Sequence, residues 1–213
     1  MTRGRFIAFE GGEGTGKSTQ AKMLAEALAA RGIGVELTRE PGGTPGAEAI
    51  RGLLLDPPGE GWGAPAEALL FAAARADHVA RRIRPALENG QWVVCDRFVD
   101  SSRAYQGSAG GLGDDTVRAL HDIGSSGLRP DLALLIDVAP NIAAERLAAR
   151  DAGRSDAIGG RDAGYHAQVA EAFRGFAAAA PSAFAVVDGT GTPAQVHARV
   201  LEAIEPLLRE AAR

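Results

Sequence analysis

Of the 23 basic residues in this chain of 213, only Lys17 and Lys22 are lysines. Lys17 stands in the segment Gly11-Gly12-Glu13-Gly14-Thr15-Gly16-Lys17-Ser18, which fits the phosphate-loop pattern G-x-x-x-x-G-K-[ST] and runs on into Thr19. Glycines at this spacing let successive backbone N–H groups turn inward as an anion-binding nest, and a following helix adds the positive end of its dipole. A compact ammonium reaches between two phosphates where the planar fork of arginine does not. A chain that otherwise writes arginine thus keeps lysine where that chemistry needs it. Ser18 supplies the hydroxyl expected on Mg²⁺.

The alternative is a glycine-rich turn that merely ends in Lys-Ser. The flanks oppose it, because residues 5–10 read as a short buried strand and residues 19–30 carry Met23, Leu24, Ala27 and Leu28 at helical spacing. Similar apolar runs recur at 6–9, 35–38, 92–95, 132–136 and 184–187, which predicts five buried strands. Helical patterns fall between and after them at 17–31, 47–55, 65–88, 114–123, 142–150, 165–179 and 193–211. The alternation implies right-handed crossovers and a three-layer α/β/α fold on a five-stranded parallel sheet, the phosphate-loop NTPase arrangement, with ligands at the carboxyl ends of the strands. One domain over 1–213 is expected. Residues 151–164, with four glycines and no apolar periodicity, are expected to form an exposed, mobile loop, and a lid is placed at about 150–164.

Composition narrows the partners. Hydrophobic residues make up 46% of the chain, enough for one sizeable core, and the net charge of −4 argues against a nucleic-acid surface. The longest apolar stretch, 176–187, is broken by Pro181 and Ser182, so no membrane span is expected, and the chain reads as cytosolic. Cys95, the single cysteine, reads as a core filler. The four histidines show no ligand spacing.

Two strand ends carry arginine at the ligand edge, Arg39 in Thr38-Arg39-Glu40-Pro41 and Arg97 in Asp96-Arg97-Phe98. Together with a phosphate loop they suggest a second anionic group. An acceptor that is a neutral hydroxyl needs a carboxylate base, whereas a phosphate monoester is already ionised and needs cations to overcome repulsion between two anions. Arginines are plentiful, including Arg146, Arg150, Arg154 and Arg161 in and before the proposed lid.

Four segments together resemble bacterial thymidylate kinase over nearly the whole chain: the phosphate loop after Phe9-Glu10, TREPGGTPGAEAIRGLLL at 38–55, LLFAAARADHV at 69–79 and DRFVDSSRAYQG at 96–107. The resemblance implies ATP and dTMP as substrates, dTDP and ADP as products, Mg²⁺ as cofactor and a homodimer. It implies that Glu13 meets the deoxyribose 3′-hydroxyl, that Arg97 grips the dTMP phosphate and that Asp96 lies near the metal and Lys17. Phe71 is similar to the ring that stacks on thymine, Arg75 to the donor to a thymine carbonyl, Ser102 to a base-edge contact and Tyr105 to the residue that excludes a ribose 2′-hydroxyl. Arg39 and Glu40 resemble the pair before a sharp proline turn, and Ser101 and Gln106 complete the implied pocket. Phe71 and Tyr105 also suit plain core aromatics.

Gly14, where eukaryotic relatives tend to carry arginine, resembles the bacterial type in which lid arginines supply the charge. Arg150, Arg154 and Arg161 are the catalytic candidates, and the choice stays open because Ala157 and Gly159 depart from the usual lid pattern. Asp188-Gly189-Thr190-Gly191 looks like a loop bracketing adenine and equally suits a strand-to-helix turn. Another nucleoside-monophosphate kinase is the nearest competing reading. A GTP switch lacks its Asn-Lys-x-Asp motif here, and a motor is disfavoured by the small size and acidic balance.

Overall fold

The computed structural model describes residues 3–151 and 156–211. Its centre is a parallel sheet of β1 (Phe6–Glu10), β2 (Val35–Arg39), β3 (Trp92–Asp96), β4 (Leu132–Asp137) and β5 (Phe184–Asp188), in the order β2-β3-β1-β4-β5. Each strand covers the expected run and one residue more, always a polar or charged residue at the carboxyl end. Alternation explains the burial of both faces. Ile7 and Phe9 of β1 point into a core with Val94, Leu134 and Ile136, while Phe6 and Ala8 point oppositely with Val93 and Cys95.

The first face is covered by α1 (Lys17–Ala29) through Ala21, Leu24 and Leu28, and by α9 (Pro193–Ala211) through Val196, Val200 and Ile204. The other face is covered by α2 (Pro45–Leu55), α3 (Ala64–His78), α4 (Arg84–Glu88), α5 (Val99–Ser102) and α8 (Ala163–Ala179), with α6 (Asp114–Ser125) packed on α3 and α7 (Pro140–Asp151) following β4. Side-chain caps account for two starts. Thr44 Oγ1 accepts from Ala47 N ahead of α2, and Asp162 Oδ1 accepts from Tyr165 N ahead of α8.

Two expected helix spans need correction, and one helical segment escaped the sequence reading. Helix α1 stops at Ala29 and not at 31, because the N–H groups of Arg31 and Ile33 both turn back to Leu28 O. The expected single helix over 65–88 is two helices joined by a wide π turn, Val79–Ile83. Pro85 has no N–H and its ring would press on the carbonyl four residues back, and the widened turn just before it accommodates both defects. The strand-end segment after β3 is helical, as α5 followed by a π turn, Arg103–Ala109. Helical periodicity was invisible there because Asp100, Ser101, Ser102, Arg103 and Gln106 are all buried polar residues.

The loop expected at 151–164 is shorter, with α8 starting at Ala163. Its described part is not simply exposed. Ile158 retains 7% of its surface and joins the core with Phe173 and Tyr105, while Asp156 Oδ1 accepts from Ile158 N and Gly159 N to hold the turn.

Candidate active site

The phosphate loop lies between β1 and α1, at the carboxyl edge of the sheet. No side chain caps α1 and no acidic residue stands in its first turn, so its leading N–H groups and dipole are left for an anion. Gly14 has φ +72, and a Cβ on it would lie 2.3 Å from Ala143 O, so α7 crosses the loop where only glycine fits. Lys17 is buried and its Nζ donates to Gly12 O and Thr15 Oγ1. Burial drives its ammonium down from 10.5 to about 8, with Arg97 adding to the effect and Glu13, Asp96 and Glu10 opposing it.

Ser18 Oγ donates to Asp96 Oδ2, while Asp96 Oδ1 is buried without a hydrogen-bond partner. Two hard oxygen donors thus meet at the mouth of the loop, a set that suits a small divalent cation which takes its remaining ligands from phosphate and water. Such a site needs no cluster of three acidic or histidine ligands, and none occurs among the described residues. On the far side of the loop, Arg146 donates to Thr15 O at 3.3 Å and to Gly189 O at 3.0 Å, joining the phosphate loop to the turn after β5. Together with Gly16, Thr19, Gln20, Gly191, Pro193 and Val196 these groups line a cavity of about 210 Å³.

The opposite side is a cavity of about 400 Å³. All ten residues expected on the acceptor side line it: Glu13, Arg39, Glu40, Phe71, Arg75, Arg97, Ser101, Ser102, Tyr105 and Gln106. Arg97 anchors it with φ 70, a left-handed backbone rare outside glycine. Its Nη1 donates to Gly11 O at 2.9 Å and Ser101 Oγ at 3.1 Å, and its Nη2 to Glu13 Oε1 at 2.6 Å and Tyr105 OH at 3.3 Å. Burial works against its charge, but Glu13, Tyr105, Asp96 and Glu10 outweigh burial, so the guanidinium stays protonated.

Glu10, at the end of β1, holds the turn that carries Arg97. Its Oε1 accepts from Phe98 N at 2.9 Å and Ser101 N at 3.3 Å, and its Oε2 pairs with Ser101 Oγ at 2.6 Å. Burial and then the nearby Asp100 push its carboxyl from 4.5 up to about 8 against the pull of Ser101, Arg97 and Phe98. Tyr105 is both core and wall: it packs with Phe173 while its OH donates to Glu13 Oε1 at 3.2 Å. Phe71 is half-buried at the same wall.

Other expected residues are engaged within the protein. Arg39 is exposed and its Nη2 donates to Glu48 Oε1 at 2.9 Å. Gln106 Nε2 donates to Glu67 Oε1 at 2.8 Å, leaving Gln106 Oε1 buried and unpartnered. Arg161 donates to Glu67 Oε2 and Tyr165 OH, at the edge of a third cavity of about 310 Å³, behind the loop. Arg154 and the side chain of Arg150 lie outside the described residues. Sequence reasoning missed Arg51, Leu55, Phe98 and Ile158 as cavity residues. Arg51 Nη1 donates to Pro41 O at 2.7 Å; the run at 38–55 contained it, but its helical position reads as an ordinary surface arginine.

A further space, lined by Gly14, Gly16, Lys17, Ser18, Thr19, Asp96, Arg97 and Arg146, shares lining residues with both the cavity beside Arg146 and the cavity anchored by Arg97. Two cavities that flank this space around Lys17, Ser18 and Asp96 suit transfer of a phosphoryl group between them, and with this sheet order they define a phosphate-loop nucleotide phosphotransferase. More narrowly, the chain belongs to the thymidylate kinase family, whose family model matches residues 9–200. It is 58% identical over 205 residues to a thymidylate kinase of Rhizorhabdus wittichii, covering 96% of this chain and 99% of that one. To a thymidylate kinase of Bradyrhizobium sp. strain BTAi1 it is 48% identical, covering 97% of this chain and 92% of that one. The crystal structure of thymidylate kinase from Ehrlichia chaffeensis superposes with a TM-score of 0.78 at 31% identity, covering 95% of this chain and 99% of that one.

Proposed function

We infer that the chain transfers the γ-phosphoryl group of ATP to dTMP, giving dTDP and ADP. The observation that carries this reading is the space around Lys17, which shares Gly16, Thr19 and Arg146 with the cavity on one side and Ser18, Asp96 and Arg97 with the cavity on the other, where Phe71 and Arg75 form the far wall. ATP would lie with its base near the turn after β5 and its phosphates in the loop. Mg²⁺ would be held by Ser18 and Asp96, where it supplies charge neutralisation between the two phosphate groups.

In the transfer, the bond from the γ-phosphorus to the bridging oxygen of ADP breaks and a bond to an oxygen of the dTMP phosphate forms. That acceptor oxygen is already ionised at neutral pH, so no general base is required. Catalysis then rests on positioning and charge, with Lys17 on the donor phosphates, Arg97 on the acceptor phosphate, and a lid arginine worth about 10³ to 10⁵ in rate. Arg150, Arg154 and Arg161 remain the candidates. Within one domain, the segment around 156–161 would close over the bound substrates in the cytoplasm. Arg161 held by Glu67 supports a lid that docks on the acceptor side.

We place a homodimer contact on the helices beside the acceptor cavity, where Leu69 of α3 and Ile123 of α6 are 57% and 84% exposed. The activity is tested by ADP release from Mg·ATP with dTMP, dUMP, UMP, CMP, GMP and AMP in turn. The expected result is little ADP without acceptor and the highest kcat/KM with dTMP. Acceptor-independent hydrolysis, or preference for a purine monophosphate, contradicts the assignment.

A further inference from the structure

One buried chain of hydrogen bonds runs from β2 to the wall of the acceptor cavity. Thr38 Oγ1 lies 2.7 Å from His78 Nε2, His78 Nδ1 lies 3.0 Å from Glu40 Oε1, and Arg75 Nε donates to Glu40 Oε2 at 2.7 Å. Arg75 Nη2 continues to Ser102 Oγ at 2.9 Å and Phe98 O at 3.3 Å. His78 itself is fully buried and is not among the residues lining the cavity. We propose that His78 is a positioning residue for recognition of the acceptor base: acting through Glu40, it holds the Arg75 guanidinium in a single orientation at the cavity wall. The proposal rests on the reading that the acceptor is a nucleoside monophosphate whose base lies against Arg75.

The proton inventory fixes the roles. Burial raises the Glu40 carboxyl, but Arg75 and His78 outweigh burial and the net shift is downward, so Glu40 is an ionised carboxylate. A carboxylate only accepts, so Arg75 Nε–H and His78 Nδ1–H both donate to it. With Nδ1–H given to Glu40, the ring meets the Thr38 hydroxyl through Nε2, and the hydroxyl can turn to complete that bond, so the imidazole is tied at both nitrogens. Both carboxylate oxygens are then tied, and Glu40 cannot swivel about its terminal torsion and carry Arg75 with it. Arg75 Nη1 makes no hydrogen bond among the described residues and remains as the donor for a base carbonyl. The backbone closes on the imidazole as well. Gly43 has φ +89, and a Cβ there would come within 2.6 Å of both His78 Nε2 and Thr38 Oγ1.

The test is steady-state kinetics of the full chain with ATP and either dTMP or dCMP. In His78→Asn the side-chain amide nitrogen can take the place of Nδ1 and still donate to Glu40; His78→Gln loses that donor. Removing a hydrogen bond to a charged group predicts that His78→Gln raises the dTMP KM about tenfold or more. The ATP KM should stay within about twofold, since Lys17 and Arg146 are untouched. Preference for dTMP over dCMP should fall, because a misaligned donor no longer distinguishes a carbonyl from an amino group, and His78→Asn should recover most of the loss.

Should His78→Gln fail to fold, Thr38→Val removes only the far hydroxyl and should raise the dTMP KM about threefold. An unchanged dTMP KM in the folded variants, a parallel rise in both KM values, or His78→Asn no better than His78→Gln overturns the role of His78. Absence of dTMP-dependent ADP formation in the wild type instead overturns the functional reading beneath it.

Discussion

At the residue scale, the proposed transfer divides its work between Lys17 on the donor side and Arg97 on the acceptor side. Lys17 is buried against its own loop with its ammonium lowered to about 8, so a polyphosphate arriving there stabilises the charged form and raises that value. Donor affinity should therefore fall as pH rises through about 8, and calorimetry of nucleotide binding in that range should register proton uptake. Lys17→Ala should lower kcat by about 10²- to 10³-fold with the circular dichroism spectrum retained, by comparison with removal of one preorganised transition-state donor. Wild-type turnover in that variant would remove Lys17 from the reaction. Arg97→Ala should raise the acceptor KM and lower kcat together, because Arg97 also holds Glu13 and Tyr105 in place.

Glu10 adds a stability prediction. Its folded value near 8 lies above the ordinary 4.5, so between these values the native state binds the extra proton and stability falls as pH rises. Glu10→Gln should flatten that slope in urea titrations at pH 5, 6.5 and 8. An unchanged slope would assign the pH dependence elsewhere.

At the scale of elements, the turns around the site carry the precision. Gly43→Ala should destabilise the protein by about 1–3 kcal/mol, because φ +89 is strained for alanine and the new methyl strikes His78 and Thr38. A thermal melt within a degree of wild type would contradict that packing. The parallel strands were legible in the sequence, since burial on both faces leaves continuous apolar runs such as Phe6-Ile7-Ala8-Phe9. Helix α5 and the π turn after it were not, because Asp100 and Arg103 are buried as an ion pair and Gln106 through a hydrogen bond to Glu67, neither of which hydropathy registers. The ten residues expected around an acceptor, which line one cavity together, were readable from strand-end position and family resemblance. Arg51, Leu55 and Ile158 reach the cavity from remote helix and loop positions, a closeness that only tertiary packing creates.

For the whole molecule, the sheet order places β1 centrally, with the phosphate loop at its carboxyl end and the Arg97 turn beside it on β3. On the proposed reading the donor and acceptor cavities flank this edge, and the phosphoryl group takes a passage between them past Lys17 and Asp96. If the segment around 156–161 closes this passage, limited proteolysis there should slow when ATP analogue and dTMP are both present; equal cleavage would argue against closure. The central claim is direct transfer between the two cavities. Its sharpest test is to follow Mg·ATP and dTMP with the purified chain by phosphorus NMR. The expected result is that dTDP and ADP accumulate one for one with no free phosphate, and ADP with inorganic phosphate in place of dTDP would contradict direct transfer.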